Sequence, residues 1–273
     1  MSVREAIILG VVQGLTEFLP VSSSGHLVLF RQLFGLKEPH LTFDVMVHLG
    51  TLAAVVAALW DEIALIFAGL RPMGEGAGAE RVKAGRRLIF LLIVGSLPAA
   101  LVGLLAEDFI TQLFSSVTVV GAALLVTGGL LWWVESRAEG GKTVGKMRPE
   151  DALYIGVWQI LALVPGISRS GTTIAAGLFR KLTREDAARF SFLLSVPVIA
   201  GAVALQVGDL LVTWQEGTWG PIVIGTLAAA VSGFAAIRGL LSLVKRHSLR
   251  VFSYYTWAVG LLVLILTHFL HQK

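Results

Sequence analysis

Apolar residues run through most of this chain in long stretches, and the polar residues are grouped in short segments between them. A helix that crosses a membrane needs about 20 consecutive, mostly apolar residues. Such stretches predict six transmembrane helices, at residues 43–69, 88–106, 116–135, 187–208, 219–241 and 250–270. The pattern therefore predicts an all-α integral membrane protein.

The composition agrees with a membrane protein. Of the 273 residues, 55% are hydrophobic and 15% are charged, and the mean hydropathy is +0.79. A soluble domain usually has about 45–50% apolar and about 25% charged residues, so a soluble domain is nearly excluded. The chain has no cysteine, which excludes disulfides, thiolate metal sites and cysteine nucleophiles. The N-terminal stretch shows no A-x-A-like cleavage site, and we expect it to remain in the mature fold.

The net charge of +4 lies in the segments that connect the apolar stretches. Four of these segments hold 16 of the 22 basic residues, whereas the segments around Glu107 and Asp108 and around Asp209 and Glu216 have no Lys or Arg. The positive-inside rule then places the four basic segments in the cytoplasm and both termini outside. Membrane topology, and not a nucleic-acid partner, explains the charge.

Two further apolar regions, residues 3–36 and 150–181, are interrupted by proline, serine and glycine. Each arm of these regions has about 10–14 residues, which is roughly 15–21 Å of helix. Such an arm is too short for a hydrocarbon core about 30 Å thick. Each region is therefore predicted to be a re-entrant helix-loop-helix hairpin that enters and leaves the membrane on the same side.

The two hairpin regions match each other at an offset of 146 residues. Because three spans follow each hairpin, the second copy is inverted relative to the first. We predict one membrane domain over residues 1–273, with inverted repeats at approximately 1–140 and 150–273, whose hairpin tips meet inside the membrane. The matching residues are Gly10, Gln13, Leu15, Ser22, Ser24 and Gly25, which correspond to Gly156, Gln159, Leu161, Ser168, Ser170 and Gly171.

After each tip a half-helix begins with Ser-x-Ser-Gly. Serines at this position cap free N–H groups, and the positive end of the helix dipole attracts anions, phosphate above all. Two such ends facing each other predict a phosphate-binding pocket. The residues expected to cap the helices or bind the substrate are Ser22, Ser24, Gly25, Ser168, Ser170, Gly171 and Thr173.

Glu17 is a carboxylate in the first arm, and Gln13 lies four residues earlier on the same helical face. A carboxylate inside the membrane is costly unless it is paired or bound to a metal. Hydrogen bonds to the serine loop or to Arg169 would satisfy Glu17. If the ligand is a phosphate, a divalent cation such as Mg²⁺ or Ca²⁺ would relieve the repulsion between the two anions. We therefore predict Glu17 and Gln13 as metal ligands, and we also predict Gln13 as a substrate-binding residue.

Arg169 is the guanidinium predicted near the membrane midplane, and its planar fork suits phosphate oxygens. Pairing with Glu17 is a structural alternative. Ser23 and His26 share one side of a half-helix, so the imidazole could accept the hydroxyl proton. His26 as nucleophile, or as the base for a water, stays open, as does a packing or capping role. Three other polar residues are interpreted as interhelical contacts: Asp44, His48 and Thr51.

The segments Gly14–His26 (GLTEFLPVSSSGH) and Pro165–Gly171 (PGISRSG) resemble the two signatures of the undecaprenyl-diphosphate phosphatase family, the bacitracin-resistance proteins of bacteria. The resemblance extends over the whole chain in length and span order. It implies hydrolysis of undecaprenyl diphosphate to undecaprenyl phosphate, the recycled carrier of cell-wall precursors, with Mg²⁺ or Ca²⁺ as cofactor. It also implies a site in the bacterial inner membrane that opens toward the periplasmic face, and it is compatible with a homodimer.

Carried over by residue, the resemblance implies that Glu17, Ser23, His26 and Arg169 are catalytic. Some members of the family have Glu where this chain has Gln13, so Glu17 is the sole carboxylate of the motif here. The alternative function is a secondary transporter or flippase of a phosphorylated lipid, since inverted repeats with broken helices are a transporter design. The lipid phosphatases related to vanadium haloperoxidases need a second His shortly after the Arg, and no His occurs between Arg169 and His247.

Overall fold

The computed structural model describes residues 1–36, 41–72, 77–136, 140–212 and 219–270. Within these ranges the chain folds into helices and contains no β-strand, apart from one isolated bridge between Lys142 and Leu182. The α-helices, in chain order, are α1 Val3–Phe18, α2 Ser23–Phe34, α3 Leu41–Ala58, α4 Trp60–Gly69, α5 Ala77–Leu105, α6 Glu107–Phe114, α7 Val117–Glu135, α8 Pro149–Gln159, α9 Arg169–Phe179, α10 Arg184–Val212, α11 Trp219–Val244 and α12 Arg250–Leu270.

Five helices of the described chain (α5, α7, α10, α11 and α12) are long and apolar enough to cross a membrane. The predicted span 43–69 is not one helix, because α3 and α4 meet at an angle of 88°. The bend follows Leu59, and α4 begins with the acidic residues Asp61 and Glu62. Glu62 pairs with Arg189 at the start of α10. This ion pair holds α4 beside the N-terminal part of α10 and thereby supports the bent arrangement. The bent pair counts as a sixth span if it crosses as one unit.

Both proline-interrupted regions form two helices separated by a break. In the first region α1 and α2 are separated by Leu19–Ser22. In the second region α8 ends in a 3₁₀ turn, Ile160–Leu163, and α9 begins at Arg169. The longest of these arms, α1, has 16 residues and a length of about 24 Å, which is still short of a hydrocarbon core about 30 Å thick.

The first arm of each hairpin packs on a long helix from the other half of the chain. Gly10 of α1 lies against Gly225 of α11, and Gly156 of α8 lies against Gly95 of α5. A Cβ added at Gly10 or Gly156 would overlap the carbonyl oxygen of its partner glycine. These two glycines occupy matching positions in the sequence repeat, so the same close backbone approach occurs in both halves.

Asp151 closes the base of the second hairpin. The buried carboxylate of Asp151 accepts hydrogen bonds from the Arg148 backbone (2.8 Å), Lys142 Nζ (2.9 Å) and Arg180 Nε (2.6 Å). Burial raises the pKa of Asp151, but these donors outweigh burial and hold the pKa below its usual value. Since Asp151 lies in the first turn of α8 and Arg180 follows α9, the ion pair joins the two arms.

Replacing Gly10 with Ala should destabilise the protein, because the new methyl group meets the rigid backbone of α11. Overpacking of this kind typically costs about 1–3 kcal/mol. Gly129→Ala is a matched control, since a Cβ at Gly129 in α7 meets no atom within 4 Å. We expect a lower melting temperature in detergent for Gly10→Ala and an unchanged or higher one for Gly129→Ala. Equal stability of the two variants would contradict the close packing of α1 on α11.

Candidate active site

The breaks of the two hairpins lie in direct contact. Ser170 Oγ donates a hydrogen bond to the carbonyl of Leu19 (3.0 Å), and Arg169 Nη2 donates to Glu17 Oε1 (2.7 Å). A Cβ at Gly25 would lie 3.1 Å from Cα of Gly166, so the backbones of the two hairpins touch with little space between them. The sequence placed Glu17 and Arg169 152 residues apart, and the fold brings them together as expected from the facing tips.

The half-helices α2 and α9 begin with the same cap. Ser22 Oγ accepts from the backbone N–H of Gly25 (3.3 Å), and Ser168 Oγ accepts from that of Gly171 (3.0 Å). The second serine of each motif contacts the first, with Ser22–Ser24 at 3.2 Å and Ser168–Ser170 at 3.1 Å. Ser22 and Ser168 therefore cap the helix starts, and Ser24 and Ser170 brace these caps. Capping is one of the two roles that the sequence predicts for these serines, and substrate binding stays a prediction.

The backbone at the first cap is strained. Ser22 has φ of +73°, a value that a non-glycine residue rarely adopts. The second hairpin has a positive φ at Gly166, where glycine tolerates it without penalty. Ser22 directly precedes Ser23, so the strained residue sets the direction in which the Ser23 side chain leaves the turn.

Glu17 is the centre of the polar cluster. Its Oε1 accepts from Arg169 Nη2, while its Oε2 accepts from Ser23 Oγ (2.7 Å) and from Gln13 Nε2 (3.0 Å). Glu17 is buried, with 9% of its surface exposed. The ion pair with Arg169 neutralises the charge of the carboxylate. The hydrogen bond from Ser23 places the Ser23 hydroxyl next to a carboxylate that can act as a base.

The predicted hydrogen bond between Ser23 and His26 does not form. His26 Nδ1 contacts the carbonyl of Ser22 (2.7 Å), and Nε2 contacts the hydroxyl of Tyr255 in α12 (2.8 Å). Helical side chains lean toward the N-terminus of their helix, and for His26 this direction leads to the Ser22 carbonyl one turn earlier. The base within hydrogen-bonding distance of Ser23 is therefore Glu17, and a proton transfer from Ser23 to His26 has no support in this geometry.

Arg169 is held by α10 as well as by Glu17. Its Nη1 donates to the carbonyl of Ser191 (3.0 Å). Thr173 Oγ1 donates to the Arg169 carbonyl (2.8 Å) and contacts Ser191 Oγ (2.7 Å). Thr173 is 1% exposed, so it does not line an open surface. Its hydrogen bonds to the Arg169 carbonyl and to Ser191 stabilise the start of α9 against α10.

Three residues of the site were not selected from the sequence as site residues. Ser191 and Tyr255 lie in apolar helices, and no spacing or motif marks them. His48 was interpreted as an interhelical contact, but its Nδ1 contacts the carbonyl of Asp44, one turn earlier in the same helix, α3 (2.7 Å). His48 also interacts electrostatically with Glu17 and Arg169. The sequence signal that could have marked His48 as a site residue is the presence of a histidine within an apolar stretch.

The donor set for a cation is small. Within the described ranges no group of three or more His, Cys, Asp or Glu side chains converges on a possible metal position. Gln13 Oε1, however, is buried and makes no hydrogen bond. One unpaired amide oxygen beside one carboxylate fits a hard cation such as Mg²⁺, which usually keeps several waters and takes phosphate oxygens as its other ligands.

Comparison with known proteins places these motifs in a family. A sequence model described as bacitracin resistance protein BacA matches residues 6–262. Proteins named undecaprenyl-diphosphatase are similar to this chain along nearly their whole length. That of Halothermothrix orenii is 46% identical over 268 residues, and that of Desulforapulum autotrophicum is 46% identical over 272 residues. That of Carboxydothermus hydrogenoformans is 44% identical over 270 residues, and each alignment covers 97% of this chain and 98% of the relative. The family resemblance inferred from the two motifs is thus confirmed, and the chain belongs to the BacA family of bacitracin resistance proteins.

Proposed function

We propose that this protein is an undecaprenyl-diphosphatase. It hydrolyses undecaprenyl diphosphate to undecaprenyl phosphate and inorganic phosphate, which returns the lipid carrier to cell-wall synthesis and underlies bacitracin resistance. The observation that carries the proposal is the Glu17 carboxylate, which accepts a hydrogen bond from the Ser23 hydroxyl and pairs with Arg169, in a chain whose relatives are named for this activity. A transporter of phosphorylated lipid has no need for a hydroxyl bound to a base.

The proposed membrane arrangement has six spans, with α3 and α4 as one bent span, and two re-entrant hairpins in inverted repeats. The matched caps and the reciprocal packing of α1 on α11 and α8 on α5 support the repeat. The basic ends of the spans also lie together. Arg184 pairs with Glu135, Arg189 with Glu62, and Lys245 with Glu185. These pairs support one cytoplasmic face, so that the first hairpin enters from the periplasmic side of the inner membrane.

In the proposed mechanism Ser23 is the nucleophile. Ser23 Oγ transfers its proton to Glu17 Oε2 and attacks the terminal phosphorus, and the bond from that phosphorus to the bridging oxygen breaks. Undecaprenyl phosphate leaves with the bridging oxygen. As it leaves, undecaprenyl phosphate takes the proton from Glu17, which restores the carboxylate. Glu17 then accepts a proton from a water molecule that attacks the phosphorus. The bond from phosphorus to Ser23 Oγ breaks, and Ser23 Oγ recovers a proton from Glu17 as inorganic phosphate is released. Arg169 and the first N–H groups of α2 and α9 stabilise the charge on the phosphoryl oxygens.

A divalent cation, Mg²⁺ or Ca²⁺, is part of this proposal. Gln13 Oε1 and a Glu17 oxygen would hold it, and the ion would neutralise the charge of the diphosphate. The buried, unpaired oxygen of Gln13 is the observation that favours such a site. Since Arg169 already balances Glu17, the protein supplies little additional negative charge, and we expect weak binding that tightens with substrate.

Replacing Ser23 with Ala should reduce phosphate release from undecaprenyl diphosphate in detergent by at least about 1000-fold, because the nucleophile is lost. The exposed Ser136→Ala at the end of α7 serves as the control. A detergent micelle does not separate two aqueous compartments, so phosphate release in detergent shows hydrolysis without transport. Turnover of Ser23→Ala close to that of the unchanged protein would remove Ser23 as nucleophile and leave water, activated by Glu17, as the attacking group.

Replacing Gln13 with Glu should lower the Mg²⁺ concentration for half-maximal activity by about tenfold, because a second carboxylate raises the charge of the ligand set. Gln13→Leu removes the oxygen and should raise that concentration. The measurement is phosphate release after treatment with EDTA, as Mg²⁺ or Ca²⁺ is added back, together with the shift in melting temperature that each ion causes. Identical cation dependence of both variants would exclude Gln13 as a ligand.

A further inference from the structure

We infer that Tyr255 is a positioning residue of the active site, which acts through His26 to hold the strained turn that presents Ser23. This inference deepens the proposed phosphatase function and rests on it. Tyr255 lies in α12, 229 residues from His26 along the chain, and its role is not marked by either sequence motif.

The contacts of His26 define its protonation. A carbonyl oxygen can only accept, so the contact with Ser22 O at 2.7 Å places a proton on Nδ1. In the neutral ring Nε2 is then an acceptor, and the Tyr255 hydroxyl at 2.8 Å donates to it. The two rings are also nearly parallel, with an interplanar angle of 8° and centroids 5.7 Å apart. His26 is 4% exposed. Tyr255 therefore fixes the tautomer and the orientation of the imidazole.

The bond from His26 acts on the strained residue. The Ser22 carbonyl accepts from His26 Nδ1 and also from the His26 backbone N–H (3.2 Å). Ser22 is the residue with φ of +73°, and the next residue is Ser23. Strained backbone persists only where surrounding groups over-determine it. Through His26, Tyr255 connects this turn to α12, a long helix from the other half of the chain.

The second hairpin shows what the first would be without this link. At the offset of 146, Thr172 corresponds to His26, and Thr172 Oγ1 donates to the Ser168 carbonyl at 3.0 Å. A hydroxyl is thus sufficient to reach the carbonyl of the capping serine. Imidazole adds a second nitrogen at the far side of the ring, and in this protein that nitrogen is used to reach Tyr255. The hairpin with this extra connection is the one that carries Ser23 and a strained non-glycine residue.

The test compares Tyr255→Phe, which removes only the hydroxyl, with Tyr254→Phe as a matched control. Tyr254 packs on Trp132 and Trp257 and makes no contact with His26. We expect Tyr255→Phe to lower kcat about tenfold or more, with KM changed less than about twofold and the melting temperature unchanged. Tyr254→Phe should behave as the unchanged protein. Equal kcat for the two variants would overturn the inference.

The His26→Thr background separates action through His26 from other effects. This variant keeps a hydroxyl for the Ser22 carbonyl and removes the contact with Tyr255. Adding Tyr255→Phe to His26→Thr should cause no further loss of kcat. If the losses multiply, Tyr255 acts independently of His26, and the inference is wrong.

A measurement that needs no activity distinguishes failure of this inference from failure of the proposed function. With ¹⁵N-labelled histidine, the Nε2 resonance of His26, assigned by its absence in His26→Thr, should shift in Tyr255→Phe and stay in place in Tyr254→Phe. If the unchanged protein releases no phosphate from undecaprenyl diphosphate, the proposed function fails, and the positioning role in that reaction fails with it. If phosphate is released but the Nε2 resonance is insensitive to Tyr255→Phe, the proposed function stands and the role of Tyr255 is refuted.

Discussion

The buried pair of Glu17 and Arg169 joins two hairpins whose backbones are broken at the same place in the fold. A lone charge of either sign would be strongly unfavourable there, and removal of one partner leaves the other uncompensated. The pair is satisfied by further bonds, from Ser23 and Gln13 to the carboxylate and from Arg169 to the Ser191 carbonyl. The site therefore exists only when both hairpins and α10 are in position.

The scaffold of the two hairpins is shared, whereas their chemistry is not. Both have a glycine for close packing in the first arm and a serine cap at the start of the second arm. At the matching positions after the cap stand Ser23 and Arg169, a nucleophile candidate and a cation. Glu17 corresponds to Leu163, so the base is present in one hairpin alone. The two similar hairpins thus bring a hydroxyl, a carboxylate and a guanidinium to one place. A hydrolytic site requires such chemically different groups.

The nearest base to Ser23 illustrates how spacing along a helix differs from contact in space. Spacing of three residues put Ser23 and His26 on one side of α2. In the structure, however, His26 Nδ1 contacts the Ser22 carbonyl and Nε2 contacts the Tyr255 hydroxyl. Glu17, six residues before Ser23 and across the break, makes the bond instead. The turn that allows this is set by the positive φ of Ser22, which a pattern of residue types does not reveal.

Apolar length, charge distribution and the Pro-Ser-Gly interruptions determined most of the helices, the two breaks, the serine caps and the residues of the polar cluster. These features depend on local sequence, because helix length and capping are decided within a few turns. Tertiary structure decided the 88° bend after Leu59, the partners of His26, and the contributions of Ser191 and Tyr255. Each of these depends on contacts between residues far apart in the chain, where side-chain direction and the packing of neighbouring helices select the partner.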